Sequence, residues 1–152
     1  MNLLADAMLG KLARWLRIMG YDTLYDPALN DDMLLNLSRK EGRTLLTRDV
    51  DLHRRAQREG IDSILIHSDL LPHELGEISS LLRGVRGESR CPACNGSLAE
   101  VERSSLQEAS LPIEGPFWRC LSCGKAYWHG SHWRGINRTL SKLGLCDLID
   151  YT

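Results

Sequence analysis

Two kinds of residue in this chain are spaced for chemistry. The first is thiols. Cys91-Pro92-Ala93-Cys94 and Cys120-Leu121-Ser122-Cys123 are two C-x-x-C pairs, and Cys146 is the fifth cysteine. One tight turn carrying C-x-x-C delivers two thiolates to one ion, so two pairs satisfy a tetrahedral Zn²⁺ with bonds of about 2.3 Å. Gly96 and Gly124 close behind the pairs suit the turns that wrap the metal. The competing reading, two redox dithiols, wants a C-x-x-C that opens a helix in a βα unit. Neither pair stands there, so structural zinc is expected at Cys91, Cys94, Cys120 and Cys123, with Cys146 outside the ligand set.

The second kind is carboxylates at strand ends. Leu3-Leu4-Ala5 ends in Asp6, and Thr44-Leu45-Leu46-Thr47 runs through Arg48 into Asp49 and Asp51. Acids that follow neighbouring parallel strands collect at the carboxyl edge of a sheet, where open α/β folds build their sites. Such a cluster repels itself unless a hard cation, Mg²⁺ or Mn²⁺, neutralises it, and that ion can activate water in phosphodiester hydrolysis. The plainer reading is that Asp49 and Asp51 cap one helix while Asp31 and Asp32 favour the start of another. Repetition at two strand ends favours the functional reading for Asp6 and Asp49.

Cations and rings complete the inventory. Lys11, Arg14 and Arg17 follow Asp6 on what reads as the polar side of a helix, and Arg48 precedes Asp49. All four could position a phosphate backbone, or simply be solvated. Phe117–Lys142 holds five basic residues and no acid, together with Phe117, Trp118, Tyr127, Trp128 and Trp133. Rings among cations suit stacked bases and phosphates, although a small zinc module also needs aromatics for its core.

The elements that must hold these groups alternate. Leu9, Leu12, Ala13, Leu16 and Met19 keep helical spacing up to Gly20; Tyr21–Tyr25 reads as a strand. Asn30, Asp31 and Asp32 open a helix that Gly42 stops; strand 43–47, helix 51–59 and the β-branched run Ile61–Ile66 follow; Pro72 opens a helix carrying Leu75, Ile78 and Leu82. Strand-helix alternation predicts a small three-layer parallel α/β sheet of about four strands. Gly- and charge-rich 84–90 reads as a linker between a first domain at 1–83 and a zinc module at 91–152, with 104–116 an irregular excursion and 135–145 a short closing helix.

Composition narrows the class. The 152 residues are 43% hydrophobic and 26% charged, with net charge -1. Residues 1–83 carry 11 Lys and Arg against 13 Asp and Glu, whereas 84–152 carry 8 against 7. No apolar run approaches the roughly 18 residues of a membrane span, and the start lacks a signal-peptide core, so a cytoplasmic location is expected.

The stretch from Leu4-Ala5-Asp6 through Gly10-Lys11-Leu12-Ala13-Arg14-Trp15-Leu16-Arg17, then Gly20-Tyr21-Asp22-Thr23 and Leu45-Leu46-Thr47-Arg48-Asp49, resembles the Mut-seven C-terminal RNase domain family. The tail, Cys120-x-x-Cys123-Gly124-Lys125-x-Tyr127-Trp128-x-Gly130-Ser131-His132-Trp133, resembles the zinc ribbon that ends that family. The resemblance implies a PIN-like fold and a metal-dependent ribonuclease, with Asp6 and Asp49 matching its principal acids and Asp51 a variable one. PIN nucleases add a helical Glu; here Asp31 and Asp32 are the candidates for that place. RNA is the expected partner, bound by Lys11, Arg14, Arg17 and Arg48 of the first module and by Lys125, Trp128, His132 and Trp133 of the second. Two other classes compete. A non-catalytic RNA- or ribosome-binding adaptor would keep the acids as structure. A receiver or phosphatase is disfavoured because Asp6 is followed by Ala7 and Asp49-x-Asp51 ends a later strand, not the first.

Overall fold

A computed structural model describes residues 1–82, 87–106 and 115–145, without the side chains of 80–82, 131 and 132. Its first sheet is built from β1 (Asn2–Ala5), β2 (Asp22–Tyr25), β3 (Thr44–Thr47) and β4 (Ser63–Leu65). All pairings are parallel, in the order β2-β1-β3-β4. Between and after them run α1 (Gly10–Ile18), α2 (Asp31–Glu41), α3 (Val50–Arg58) and α4 (Leu71–Leu82). The three-layer α/β expectation is met, with strand ends within a residue or two of those read from periodicity.

Strand alternation explains the layers. Leu3, Ala5 and Leu46 face one side and pack with Leu9, Leu12, Leu16, Leu75 and Ile78 of the α1 and α4 layer. Leu4 and Leu45 face the other and pack with Leu34, Leu35, Leu52 and Ala56 of α2 and α3. The chain leaves β1 toward β2 and then returns across it to β3, so right-handed crossovers must put α1 opposite α2 and α3. Local signals set the ends: Asn30 Oδ1 accepts from Met33 N at 3.0 Å to cap α2, and Gly42 stops that helix at φ 61°.

The second sheet is antiparallel: β5 (Leu98–Val101), β6 (Phe117–Cys120) and β7 (Ala126–Trp128). After it comes α5 (Ser131–Lys142). This helix begins four residues before the expected 135. Trp133, Ile136 and Leu140 form an apolar stripe that packs with the α1 and α4 layer, and this packing outweighs the roughly 1 kcal/mol cost of Gly135 inside the helix. Leu140 and Leu145 are fully buried in the same cluster as Leu3 and Leu16, so α5 and the turn after it share the core of the first sheet. Residues 107–114 of the expected excursion, 84–86 of the expected linker and Cys146 lie outside the described residues.

Candidate active site and metal centre

The four thiols converge. Cys91, Cys94, Cys120 and Cys123 have Sγ atoms all within 4.8 Å of one another, the only such group of three or more possible ligands among the described residues. A tetrahedron of ~2.3 Å bonds has edges of about 3.8 Å, so the set fits Zn²⁺. The two knuckles repeat one hydrogen-bond pattern. Asn95 N donates to Cys91 O at 2.8 Å and Gly124 N to Cys120 O at 3.0 Å, while Cys91 N donates to Gly96 O and Cys120 N to Lys125 O. Ser122 N and Cys123 N both approach Cys120 Sγ at 3.4 Å. Burial pushes the Cys120 thiol up, but these backbone donors and its neighbouring thiols overcome it and hold it at about 6. Tyr127 Oη lies 3.0 Å from Cys91 Sγ, a donor for a metal-bound thiolate; burial and that sulfur raise the phenol's pKa and keep it protonated. In the first knuckle Asn95, not Gly96, takes the left-handed turn at φ 69°. Gly96 is needed for closeness: a Cβ there would sit 2.5 Å from Ser122 Oγ.

The first knuckle is docked on the first domain. Arg17, 4% exposed, donates from Nε to Thr23 O at 2.8 Å and from Nη1 to Pro92 O and Ala93 O at 2.9 and 3.2 Å. Asn95 Oδ1 accepts from Thr23 N at 3.1 Å, and its Nδ2 donates to Asp22 Oδ1 at 2.9 Å. Thr23 thus bonds on the outer edge of β2 to two side chains, which stand where another strand would pair. Ser89 Oγ and Arg90 N donate to the α1 carbonyls of Ile18 and Arg17 at 2.6 and 2.8 Å. A Cβ on Gly20 would lie 2.2 Å from Gly87 O, so this junction requires glycine. Arg17 is therefore not on the solvated face with Lys11 and Arg14, as its helix position suggested: burial lowers its pKa and its donors are committed to the knuckle.

At the opposite, carboxyl edge the strand order reverses between β1 and β3, the place where open α/β sheets bind ligands. Asp6 and Asp49 flank that crevice. Thr47, fully buried, joins them: its Oγ1 donates to Asp6 Oδ2 at 2.7 Å and accepts from Asp49 N at 2.9 Å. Asp49 Oδ1 caps α3 by accepting from Asp51 N and Leu52 N at 2.7 and 3.0 Å. Asp6 Oδ1 and Asp49 Oδ2 take no hydrogen bond from a described residue, which leaves one oxygen of each for a hard cation.

The other acids do not join them in a three-ligand group. The Asp51 side chain is 95% exposed and pairs with Arg54 at 3.6 Å. Asp32 is drawn to Arg55 of α3 at 2.6 Å, and Asp31 is exposed in the first turn of α2, on the far layer from α1. A convergence of Asp6, Asp49 and Asp51 was expected; the helix that Asp49 caps instead turns Asp51 outward. Lys11 and Arg14 are exposed on α1, and Arg48 spans the crevice toward Met8 O at 3.5 Å. Periodicity alone missed Thr47, Asn95, Tyr25 and Glu74. Tyr25 Oη donates to Ala7 O at 3.1 Å and its ring lies so close to Gly10 that a Cβ there would meet Oη at 2.7 Å. Glu74, 5% exposed in the first turn of α4, was detectable because it shares a helix face with Ile78.

Of the ribbon contacts expected for RNA, Lys125 is exposed and Trp128 half-buried; Trp133 stacks on His129 at 4.5 Å, and His129 in turn meets Trp118 at 4.8 Å. The His132 side chain lies outside the described residues.

The family model of the Mut7-C RNAse domain matches residues 1–140, spanning both the aspartate edge and the four cysteines. The chain belongs to the Mut7-C RNAse domain family. No curated protein and no solved structure matches it. Membership gives this Mut7-C chain a nuclease-like function with RNA as substrate or partner. No helix among its described residues is long and apolar enough to cross a membrane.

Proposed function

We propose that this Mut7-C chain is a metal-dependent ribonuclease of PIN-like type that hydrolyses RNA phosphodiester bonds at the crevice between β1 and β3. The observation that carries the reading is the Asp6–Thr47–Asp49 arrangement: two aspartates at the reversal of strand order, one buried hydroxyl bonded to the Asp6 carboxylate and to the Asp49 backbone amide, and one oxygen of each carboxylate without a hydrogen bond from a described residue. Oxygen donors in this number suit Mg²⁺ or Mn²⁺, which retain several waters. When bound, such an ion supplies an activated water and relief of charge on the phosphate. The chain's own residues do the positioning. Thr47 fixes the Asp6 carboxylate, the α3 cap fixes Asp49, and Lys11, Arg14 and Arg48 offer donors to phosphate without reading bases. Asp51, Asp31 and Asp32 would act through water or on flanking nucleotides. Residues 1–83 would form the nuclease body, with 84–90 joining it to a zinc ribbon, 91–152, that holds RNA through Lys125, Trp128, His132, Trp133 and the exposed cations of α5.

A second reading, a non-catalytic RNA-binding adaptor, draws on the Asp49 cap, which alone would justify that residue. Cleavage of an RNA panel with Mg²⁺ or Mn²⁺ separates the two. Asp6→Asn and Asp49→Asn should each abolish cleavage. Because Asn also caps well, Asp49→Asn should stay near parental stability, whereas Asp49→Ala should lose about 1 kcal/mol. Cleavage at the parental rate in both Asn variants would make the acids structural, and a parent that cleaves no RNA with either metal would leave the adaptor reading standing.

A further inference from the structure

Glu74 has no part in the reaction as described, yet its setting is unusual. It lies one turn into α4, the helix that leaves the carboxyl end of β4, on the layer shared with α1. It is 5% exposed and, among the described residues, accepts no hydrogen bond and has a single ion-pair partner, Arg48 Nη1 at 4.0 Å. A carboxylate buried this far without hydrogen bonds is costly unless a cation compensates it. Arg48 is the residue between Thr47 and Asp49, so the cation that Glu74 draws inward is the one at the crevice. Its other contact, to Met8 O, is long at 3.5 Å, so neither contact saturates its five donors. An arginine at a strand end without such an anchor would extend into water. Attraction from a carboxylate shielded from solvent is screened far less than a surface pair.

We infer, on the ribonuclease reading above, that Glu74 is a positioning residue that holds the Arg48 guanidinium over the β1–β3 crevice so that its remaining donors meet the scissile phosphate. The groups around Glu74 are Arg48 from the end of β3, Lys11 from α1, Asp69 from the preceding loop and Glu77 from its own helix. Burial, helped by Asp69 and Glu77 and opposed by Arg48 and Lys11, raises its pKa. As pH falls through that raised value Glu74 takes a proton and its hold on Arg48 weakens.

The test is cleavage of a fixed RNA by the full chain, with kcat and KM followed against pH in the parent, Glu74→Gln, Arg48→Gln and the double variant. Glu74→Gln should lower kcat about tenfold, change KM by less than about twofold, and remove one acid limb of the kcat profile. Arg48→Gln should remove the same limb, and the double variant should lose no more than Arg48→Gln alone, since Glu74 acts through Arg48. Losses that multiply in the double variant, or a Glu74→Gln profile identical to the parent's, overturn the inference and leave the ribonuclease reading intact. Should Glu74→Gln not fold, Arg48→Gln decides alone: persistence of the acid limb overturns the inference, and its loss supports it. A parent that cleaves no RNA overturns both together, and is told apart because every variant is then silent.

Discussion

At the scale of single residues, most of the informative side chains work as joints. Thr47 links two acids, Asn95 links the first knuckle to β2, and Asp22 ties three basic or amide groups together. Asp22 Oδ1 accepts from Arg43 Nη1 at 2.7 Å and from Asn95 Nδ2 at 2.9 Å, with Arg90 Nη2 3.7 Å from Oδ2. Burial works against its ionisation, but these hydrogen bonds and charges prevail and hold its carboxyl below the usual range. A depressed native pKa stabilises the fold fully above the unfolded value of about 4 and loses that contribution as pH falls toward the native value. The parent should therefore exceed Asp22→Asn by about 1 kcal/mol near neutrality, after allowance for partial exposure, with the gap closing below about pH 4. Denaturant melts across pH would check this, and a gap that widens in acid would refute the assignment.

At the scale of elements, the first cysteine knuckle and the edge of the first sheet form one mechanical unit. Arg17, Asn95, Ser89 and Arg90 satisfy the outer edge of β2 and the last carbonyls of α1, groups that water or another strand would otherwise take. Metal binding to such a site is coupled to folding. Arg17→Met keeps bulk but strands the carbonyls of Thr23, Pro92 and Ala93. It should lower the midpoint of thermal unfolding and speed zinc loss to a chelator, as read by a colorimetric zinc indicator. Hydrogen exchange at Thr23 should accelerate in the same variant. Parental rates of zinc loss would mean that the knuckle holds its metal independently of the sheet.

At the scale of the whole molecule, charge is arranged unevenly. Arg134, Arg138 and Lys142 recur every fourth residue on the exposed side of α5, with no acid in Phe117–Lys142 to answer them. Like charges at this spacing cost a few tenths of a kcal/mol per pair, a repulsion that a bound phosphate backbone would offset. Replacing all three by Gln should reduce the slope of log affinity against log salt by about two units, at roughly 0.7 for each single-strand phosphate contact. Fluorescence anisotropy with a labelled RNA between low and moderate salt measures it; an unchanged slope would move the RNA path to another face.

The sequence by itself determined what depends on near neighbours. The short apolar runs of Leu3-Leu4-Ala5 and Thr44–Thr47 marked strands with two buried faces, Asn30 and Gly42 bounded a helix, and the C-x-x-C spacing brought out a thiolate set that the fold closes. Asp6 and Asp49 were legible because each lies within two residues of a strand's end, and parallel neighbours must end at the same edge. Tertiary structure alone decided which charged groups remain available. Arg14 and Arg17 are three residues apart on one helix, yet one is exposed and the other is buried under a knuckle about 75 residues away in sequence. Asp32 was equally unreadable, because its partner Arg55 lies on another helix. Helical and strand periods encode which face avoids water, through interactions within a turn or two. They carry no record of which distant element will cover that face, and a side chain's hydrogen-bond partners are fixed by that covering element.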